Sequence, residues 1–210
     1  MISAKKMADA ERQLAQRDPR MATLIQRHGP CTLGRRRRDS FTVLCASIIS
    51  QQLSSKAADT IQKRVMLALG ADKTLTPGHF SGVSIAQLRA CGLSNAKAKW
   101  LLALAERLAS GALDLAKVRR MKDADAMQTL DDLPGIGPWT AEMLLMFAFD
   151  RLDIYSMGDL GLRRGAELVY NRKRKLSDKK LLQLSAGWAP YRSIASWYLY
   201  VDGKHYTMHN

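Results

Sequence analysis

Residues 133–141 read LPGIGPWTA and lie between two segments whose patterns predict helices. The two glycines, Gly135 and Gly137, permit a close turn with positive φ and leave the backbone bare. The amides that begin the second helix can then point outward at an anion such as a phosphate oxygen. We expect Ile136, between the glycines, to point inward and hold the two helices together. An ordinary glycine-rich connector between helices is the alternative interpretation.

The charge of the chain favours the phosphate-binding interpretation. Its 210 residues include 33 Lys+Arg and 19 Asp+Glu, a formal net charge of +14. Such an excess implies nucleic acid, an anionic membrane surface or simple solubility. Together with the string LPGIGPWTA it predicts a helix-hairpin-helix that binds the DNA backbone. The basic runs lie beside turns and not along one amphipathic helix face, which disfavours the membrane surface.

Composition excludes several other classes. Hydrophobic residues make up 47% of the chain, enough to fill a core at this length, so intrinsic disorder is not expected. The cysteines, Cys31, Cys45 and Cys91, are too far apart for a metal knuckle, and a disulfide framework would leave one over, which favours a reducing cytosol. The charged N-terminus and the lack of a long apolar run predict no targeting segment and no membrane association.

Helix start and stop signals recur, whereas strand-like alternation is scarce, so the pattern predicts an all-α protein. One long helix is expected from Asp39 or Ser40 to Gly70. Further helices should begin after Ser84, Ser94, Asp123, the hairpin, Asp159 and Ser177, and the last should run over 193–201. No linker separates independent domains. We expect a single module (1–210) of two interleaved helical lobes, about 1–50 with 150–210, and 51–149 including the hairpin at 133–138.

Four blocks of sequence resemble the helix-hairpin-helix superfamily of DNA glycosylases. They are SIISQQLSSKAA (47–58), CGLSNAKAKWLLALA (91–105), LPGIGPWTAEMLLMFA (133–148) with the following Gly158-Asp159, and WAPYRSIA (188–195). They cover about residues 40–202 in the family's order and are most similar to the short form of its 3-methyladenine DNA glycosylase II (alkylation-repair) branch. The resemblance implies a DNA-binding cleft between the lobes. It also implies a monomer that acts on double-stranded DNA containing alkylated bases, in the cytoplasm and, in a bacterium, at the nucleoid.

Two other branches of the family are disfavoured because the residues that their chemistry needs are missing. The bifunctional lyases place a lysine just after Gly-x-Gly-x, where its amine forms a Schiff base with the sugar; here that position is Trp139. The iron–sulfur branch needs four closely spaced C-terminal cysteines, and no cysteine follows Cys91. We therefore expect a monofunctional hydrolase without AP lyase activity and without an iron–sulfur cluster or other cofactor.

The resemblance makes Asp159 the candidate catalytic residue. Cleavage of an N-glycosidic bond creates an oxocarbenium-like sugar, which a nearby carboxylate stabilises while it orients or deprotonates water. A cationic alkylated base is already a good leaving group, so one carboxylate can suffice. The alternative is that Asp159 only caps its helix, and the two roles are compatible. Asp153 is the fallback.

A base alkylated on a ring nitrogen carries positive charge, which aromatic faces attract. Trp139 matches a pocket aromatic of the alkylation branch, Tyr200 falls where relatives place another, and Tyr155 is a third candidate. Each could instead be a core residue. Met143 and Leu160 stand where some relatives have tyrosines, so the lesion range cannot be copied from those relatives.

An enzyme that reaches a base inside a duplex must flip it out and fill the gap. Gln52 aligns with the family's intercalating residue, and Leu53 is the alternative. Gln51, beside them, could equally satisfy local backbone groups at a helix kink.

Backbone binding is expected from the hairpin amides of Gly135 and Gly137, with Thr140 and Arg163 as further DNA contacts. The basic runs 35–38 and 172–175 could neutralise phosphates or form a solvated face. The resemblance also implies a structural monovalent cation on the main-chain carbonyls of Asp131, Leu133 and Gly135.

The sequence thus predicts a DNA glycosylase that flips alkylated purines of the 3-methyladenine type and hydrolyses their N-glycosidic bond in base-excision repair. Two alternatives remain open. One is a glycosylase for neutral lesions such as hypoxanthine or etheno adducts, which would need hydrogen-bond donors to the leaving group. The other is a non-catalytic protein that binds damaged DNA.

Overall fold

The computed structural model describes residues 2–35 and 38–203, and over these ranges the chain is helical without strands. The predicted all-α class is confirmed. The helices are α1 (Ala4–Arg17), α2 (Pro19–His28), α3 (Ser40–Ser50), α4 (Ser55–Ala68), α5 (Ile85–Ala90), α6 (Asn95–Ala109), α7 (Leu115–Arg120), α8 (Asp123–Asp131), α9 (Pro138–Phe147), α10 (Leu160–Asn171), α11 (Asp178–Trp188) and α12 (Arg192–Asp202), with a short 3-10 helix at Pro77–Phe80. None of the helices described is long and apolar enough to span a membrane.

The described chain divides into two compact units. One combines residues before Arg38 with those from Asp150 onward and contains α1, α2 and α10–α12; the other, Arg38–Phe149, contains α3–α9. The boundary therefore lies near residue 38 and not near residue 50. Residues 40–50 belong to the second unit because α3 packs against α4, α6 and α9.

The second unit is built around α3. Nine of its eleven residues are buried, which matches a helix that is apolar on every side. The helix that follows the hairpin, α9, packs against it, with all of Met143–Phe147 buried. The hairpin is therefore connected through α9 to the buried helix α3.

The expected single helix from residue 40 to Gly70 is wrong. Helix α3 ends at Ser50 and α4 begins after Ser54, whose side chain accepts a hydrogen bond from the Ala57 N–H. Gln51, Gln52 and Leu53 interrupt the apolar pattern at this turn, but the expected helix was continued through them. Ser54 is an ordinary N-cap residue and was the local signal for it.

In the first unit, Asp18 joins four segments of chain. Its Oδ1 accepts from the Arg20 and Met21 amides and so caps α2. Its Oδ2 accepts from the Tyr170 hydroxyl at 2.6 Å and from Trp188 Nε1 at 3.0 Å. This partly buried network fixes α10 and α11 against the α1–α2 junction.

Candidate active site and DNA-binding elements

The hairpin has the conformation that the sequence predicts at Gly135 but not at Gly137. Gly135 has φ +79°, and a Cβ there would lie 2.3 Å from the ring of Trp100, so only glycine fits. Gly137 has φ −98° and is the N-cap of α9; a Cβ there would meet nothing within 4 Å. Ile136 is buried between them, as expected. The open side of Gly137 leaves room for an external group to approach the backbone.

The amides at the start of α9 suit an anion. Gly137 provides no side-chain cap, and Pro138 at the first helical position has no N–H to satisfy. The remaining first-turn amides of a helix have no intrahelical acceptor and carry the positive end of the helix dipole. The first-turn amides of α9 are therefore suited to donate hydrogen bonds to a phosphate oxygen.

Two of the three carbonyls that the family resemblance assigns to a cation, those of Leu133 and Gly135, each accept a hydrogen bond. The Leu133 carbonyl accepts from the Ile136 N–H at 3.0 Å, and the Gly135 carbonyl accepts from Gln51 Nε2 at 2.8 Å. A carbonyl oxygen has two lone pairs, so each keeps one for a cation. Among residues 2–35 and 38–203 no group of three or more His, Cys, Asp or Glu side chains could hold a metal.

Thr140 does not present its hydroxyl to the surface. The residue is 1% exposed, and its Oγ1 accepts a hydrogen bond from Gln51 Nε2 at 2.9 Å. The side chain of Thr140 therefore makes a structural contact within the second unit, and the prediction that Thr140 contacts DNA stays a prediction.

The segment Ser50–Leu53, which we call the plug turn, forms a type II β-turn. Gln51 has φ −48° and ψ 129°, Gln52 has φ +58°, and the Leu53 N–H donates to the Ser50 carbonyl at 3.1 Å. The second central position of this turn favours glycine, and another residue there costs about 1–2 kcal/mol. Both candidate intercalating residues are exposed, Leu53 by 40%. Strain of this kind is common at functional positions.

Asp159 occupies a defined place at the start of α10. It is the N-cap of that helix, its Oδ1 accepts from the Leu162 N–H at 2.7 Å, and the residue is only 7% exposed. The structure therefore shows the capping role that the sequence predicted, at a position with little exposure to solvent.

Tyr155 and Arg163 lie close enough to Asp159 to share its electrostatic environment. Burial raises the pKa of Tyr155 to about 12, with Arg163 opposing the increase and Asp159 adding to it. The Tyr155 ring packs edge-on against Trp188, with centroids 5.6 Å apart. The guanidinium of Arg163 donates to the Leu176 carbonyl and to Asp178, so it holds the 171–178 connection in place.

Asp153, the fallback catalytic acid, is used structurally. Its carboxylate accepts two hydrogen bonds from the Arg192 guanidinium, at 2.7 and 2.9 Å. This ion pair raises the pKa of Arg192 against the opposing effect of burial. The pairing leaves Asp159 as the better candidate.

The remaining pocket candidates are divided between the units. Trp139 is partly buried in the first turn of α9, and Met143, one turn later on the same side of that helix, is fully buried. In the other unit Tyr200 is buried in α12, and Leu160 is 67% exposed beside Asp159.

Sequence analysis missed the role of Lys97. This residue lies in the first turn of α6, and its ammonium donates to the carbonyls of Ile49 and Gln51, at the end of α3. The contact joins positions nearly fifty residues apart. The sequence carries no local signal for it.

The hairpin with its open helix N-terminus, and a buried carboxylate capping a second helix, define a DNA-backbone-binding protein with one acidic centre. A family model described as HhH-GPD superfamily base excision DNA repair protein matches residues 45–190. Among curated proteins, DNA-3-methyladenine glycosylase 1 of Schizosaccharomyces pombe is 31% identical over 169 residues, 80% of this chain and 74% of that protein. The alkylbase DNA glycosidase-like protein mag2 of the same yeast is 28% identical over 194 residues, 91% of each chain.

Solved structures of DNA glycosylases are also similar to this chain. The S. pombe 3-methyladenine DNA glycosylase (Mag1) in complex with abasic DNA has a TM-score of 0.83 at 29% identity and covers 95% of this chain and 98% of its own. A DNA-3-methyladenine glycosidase from Bacillus halodurans has a TM-score of 0.75 at 34% identity and covers 92% of this chain and 88% of its own. The chain belongs to the HhH-GPD superfamily of base excision DNA repair proteins. The family assignment made from the four sequence blocks is confirmed.

Proposed function

We propose that the protein is a monofunctional DNA glycosylase that releases alkylated purines of the 3-methyladenine type by hydrolysis of the N-glycosidic bond. The observation that carries this proposal is Asp159, a shielded carboxylate held at a helix N-terminus. The names of the relatives support the substrate class, since one S. pombe protein is named a DNA-3-methyladenine glycosylase and the other an alkylbase DNA glycosidase-like protein.

Asp159 stabilises the sugar as the bond to the base breaks. One carboxylate oxygen is fixed by the Leu162 amide, which sets the direction of the other. A negative charge in a site with little water stabilises a developing oxocarbenium ion more strongly than it would in bulk water. The same carboxylate orients the water that adds to the sugar. The alkylated base leaves as a neutral molecule and needs no proton from the enzyme.

The candidate residues of each unit have side chains that suit a cationic, planar base. Trp139 provides an indole face and Met143 a polarisable neighbour on α9. Tyr155 is neutral at physiological pH, as an ordinary tyrosine is, and burial raises its pKa further. Gln52 or Leu53 fills the space that the flipped base leaves in the duplex.

The absence of lyase chemistry is part of the proposal. Trp139 occupies the position of the Schiff-base lysine, and an indole cannot form an imine with the sugar carbon. The product is then an intact abasic strand. A monovalent cation on the hairpin carbonyls would support the backbone contact without taking part in the reaction. We further propose that the protein works as a monomer, in the compartment that holds the DNA.

A panel of duplexes, each with a single 3-methyladenine, 7-methylguanine, hypoxanthine or ethenoadenine, tests the proposal. We expect release of free base from the two cationic lesions, and strand breaks only after alkali treatment. Release of the neutral lesions alone would show that the protein is instead a glycosylase for hypoxanthine or etheno adducts. Binding to damaged duplexes without release of any base would support the non-catalytic alternative, and strand breaks without alkali would contradict the argument from Trp139.

A further inference from the structure

The plug turn is held in its strained form by hydrogen bonds to groups outside it. Its central residue, Gln52, has φ +58° and is exposed. Within the turn, the hydrogen bond from the Leu53 amide to the Ser50 carbonyl links the two ends. Such a turn, with glutamine where glycine is favoured, needs further contacts to remain in one conformation.

Lys97 provides the first of these contacts. Its Nζ donates to the Ile49 carbonyl at 2.8 Å and to the Gln51 carbonyl at 2.6 Å. Helix α3 ends here, so these carbonyls lie where a helix leaves acceptors unpaired and where its dipole attracts a cation. Partial burial lowers the pKa of Lys97, which is the effect of holding an ammonium away from water against carbonyls alone.

Gln51 provides the second. Its single side-chain amide group donates to the Gly135 carbonyl at 2.8 Å and to Thr140 Oγ1 at 2.9 Å. These acceptors precede and follow Gly137 in the sequence. The Gln51 amide therefore links the hairpin turn to the first turn of α9. The plug turn and the hairpin are thereby joined within one unit.

We infer that Lys97 and Gln51 are positioning residues that fix the plug turn relative to the hairpin, so that the exposed Gln52 is set for insertion when the hairpin binds the DNA backbone. The inference rests on the proposed function. Neither residue touches the base or the sugar in this account. Their loss should therefore slow extrusion of a paired base and leave hydrolysis of an unpaired one nearly unchanged.

The test compares Lys97→Met with Lys99→Met, a matched control that removes an exposed lysine from the same helix. The substrate is the lesion that the wild-type protein releases fastest from the four-lesion panel, placed opposite either its normal partner or an abasic-site analogue. An unpaired base needs less energy to extrude. We expect Lys97→Met to lower the single-turnover rate about tenfold on the paired lesion and less than about threefold on the unpaired one. Lys97→Arg should restore most of the rate, and Lys99→Met should match wild type.

A fluorescent 2-aminopurine beside the lesion reports extrusion directly and should brighten less with Lys97→Met than with wild type. Equal rates for Lys97→Met and wild type on the paired lesion, or an equal loss on both substrates, would overturn the inference. If Lys97→Met does not fold, Gln51→Met makes the same comparison from the other contact; failure of both to fold would show a purely structural network and overturn it too. Wild-type protein that releases no base from either duplex would instead contradict the proposed function.

Discussion

Gly135 and Gly137 flank one isoleucine but have different roles. Gly135 is required by a positive φ and by the ring of Trp100, whereas Gly137 has ordinary backbone angles and open space beside it. The first glycine therefore maintains the fold, and we propose that the second keeps the backbone accessible to DNA.

Alanine substitutions should separate these roles. Gly135→Ala should lower the free energy of unfolding by about 1–3 kcal/mol, because the new methyl meets a packed indole in a strained conformation. Gly137→Ala should leave stability within about 1 kcal/mol and weaken DNA binding about tenfold. Thermal unfolding and fluorescence anisotropy with a short duplex measure the two effects. The account of the hairpin fails if Gly137→Ala binds DNA as wild type does.

At single residues the sequence was informative where a local rule and the family resemblance agreed. The capping role of Asp159 was predicted because it precedes a helical pattern and follows the hairpin at the family's spacing. The contact between the Thr140 hydroxyl and Gln51 was not predicted, because the two residues are distant in sequence. The contact of Lys97 was also not predicted, because its acceptors lie at the end of another helix, distant in sequence.

At the scale of elements, the close approach of α10 and α12 positions the acidic centre. Gly165 in α10 faces the backbone of α12, and a Cβ there would lie 2.5 Å from the Leu199 carbonyl oxygen. Helix α10 begins at Asp159, so its packing sets where that carboxylate lies. Backbone cannot yield to a methyl group as a flexible side chain can.

We therefore expect Gly165→Ala to destabilise the protein by about 1–3 kcal/mol, although alanine favours helices, because it overpacks the contact with α12. Gly187→Ala is the matched control, since Gly187 is also helical and its Cβ would meet nothing within 4 Å. That substitution should stabilise by about 0.5–1 kcal/mol. Chemical unfolding measures both, and stabilisation by Gly165→Ala would disprove the close contact.

The helices were predicted where capping residues coincide with a change of pattern. Ser84 and Ser94 begin α5 and α6 as expected. The first two helices were overlooked although Ser3 and Asp18 cap them. Helix α7 was also missed; it has six residues, too few to show an apolar period clearly.

At the scale of the whole molecule, part of the net charge of +14 lies in a hydrogen-bonded loop. The basic run 172–175 follows α10, and all four cations are exposed. Arg172 and Lys173 have positive φ, and the Asn171 side chain donates to the carbonyls of Arg174 and Lys175. Of the other run, 35–38, the two central arginines lie outside the described residues. The exposed cations of the 172–175 loop are therefore available to neutralise phosphates.

Neutralising this loop should change the salt dependence of DNA binding. The double variant Arg172→Asn with Lys173→Asn removes two charges, and asparagine tolerates the left-handed conformation. The slope of log K against log salt should become shallower by about 0.9 for each phosphate that the variant no longer neutralises. The control is Lys5→Gln with Lys6→Gln, two exposed cations of α1. Identical slopes for the two double variants would show that the loop is only a solvated face.

The central claim is that Asp159 performs the chemistry, and Asp159→Asn tests it most directly. Asparagine can still accept the Leu162 amide, so the helix cap and the fold should be retained. We expect wild-type affinity for lesion-containing duplex and a rate of base release at least about 100-fold lower, because the charge that stabilises the sugar is gone. Base release within about threefold of wild type, with DNA binding intact, would contradict the account.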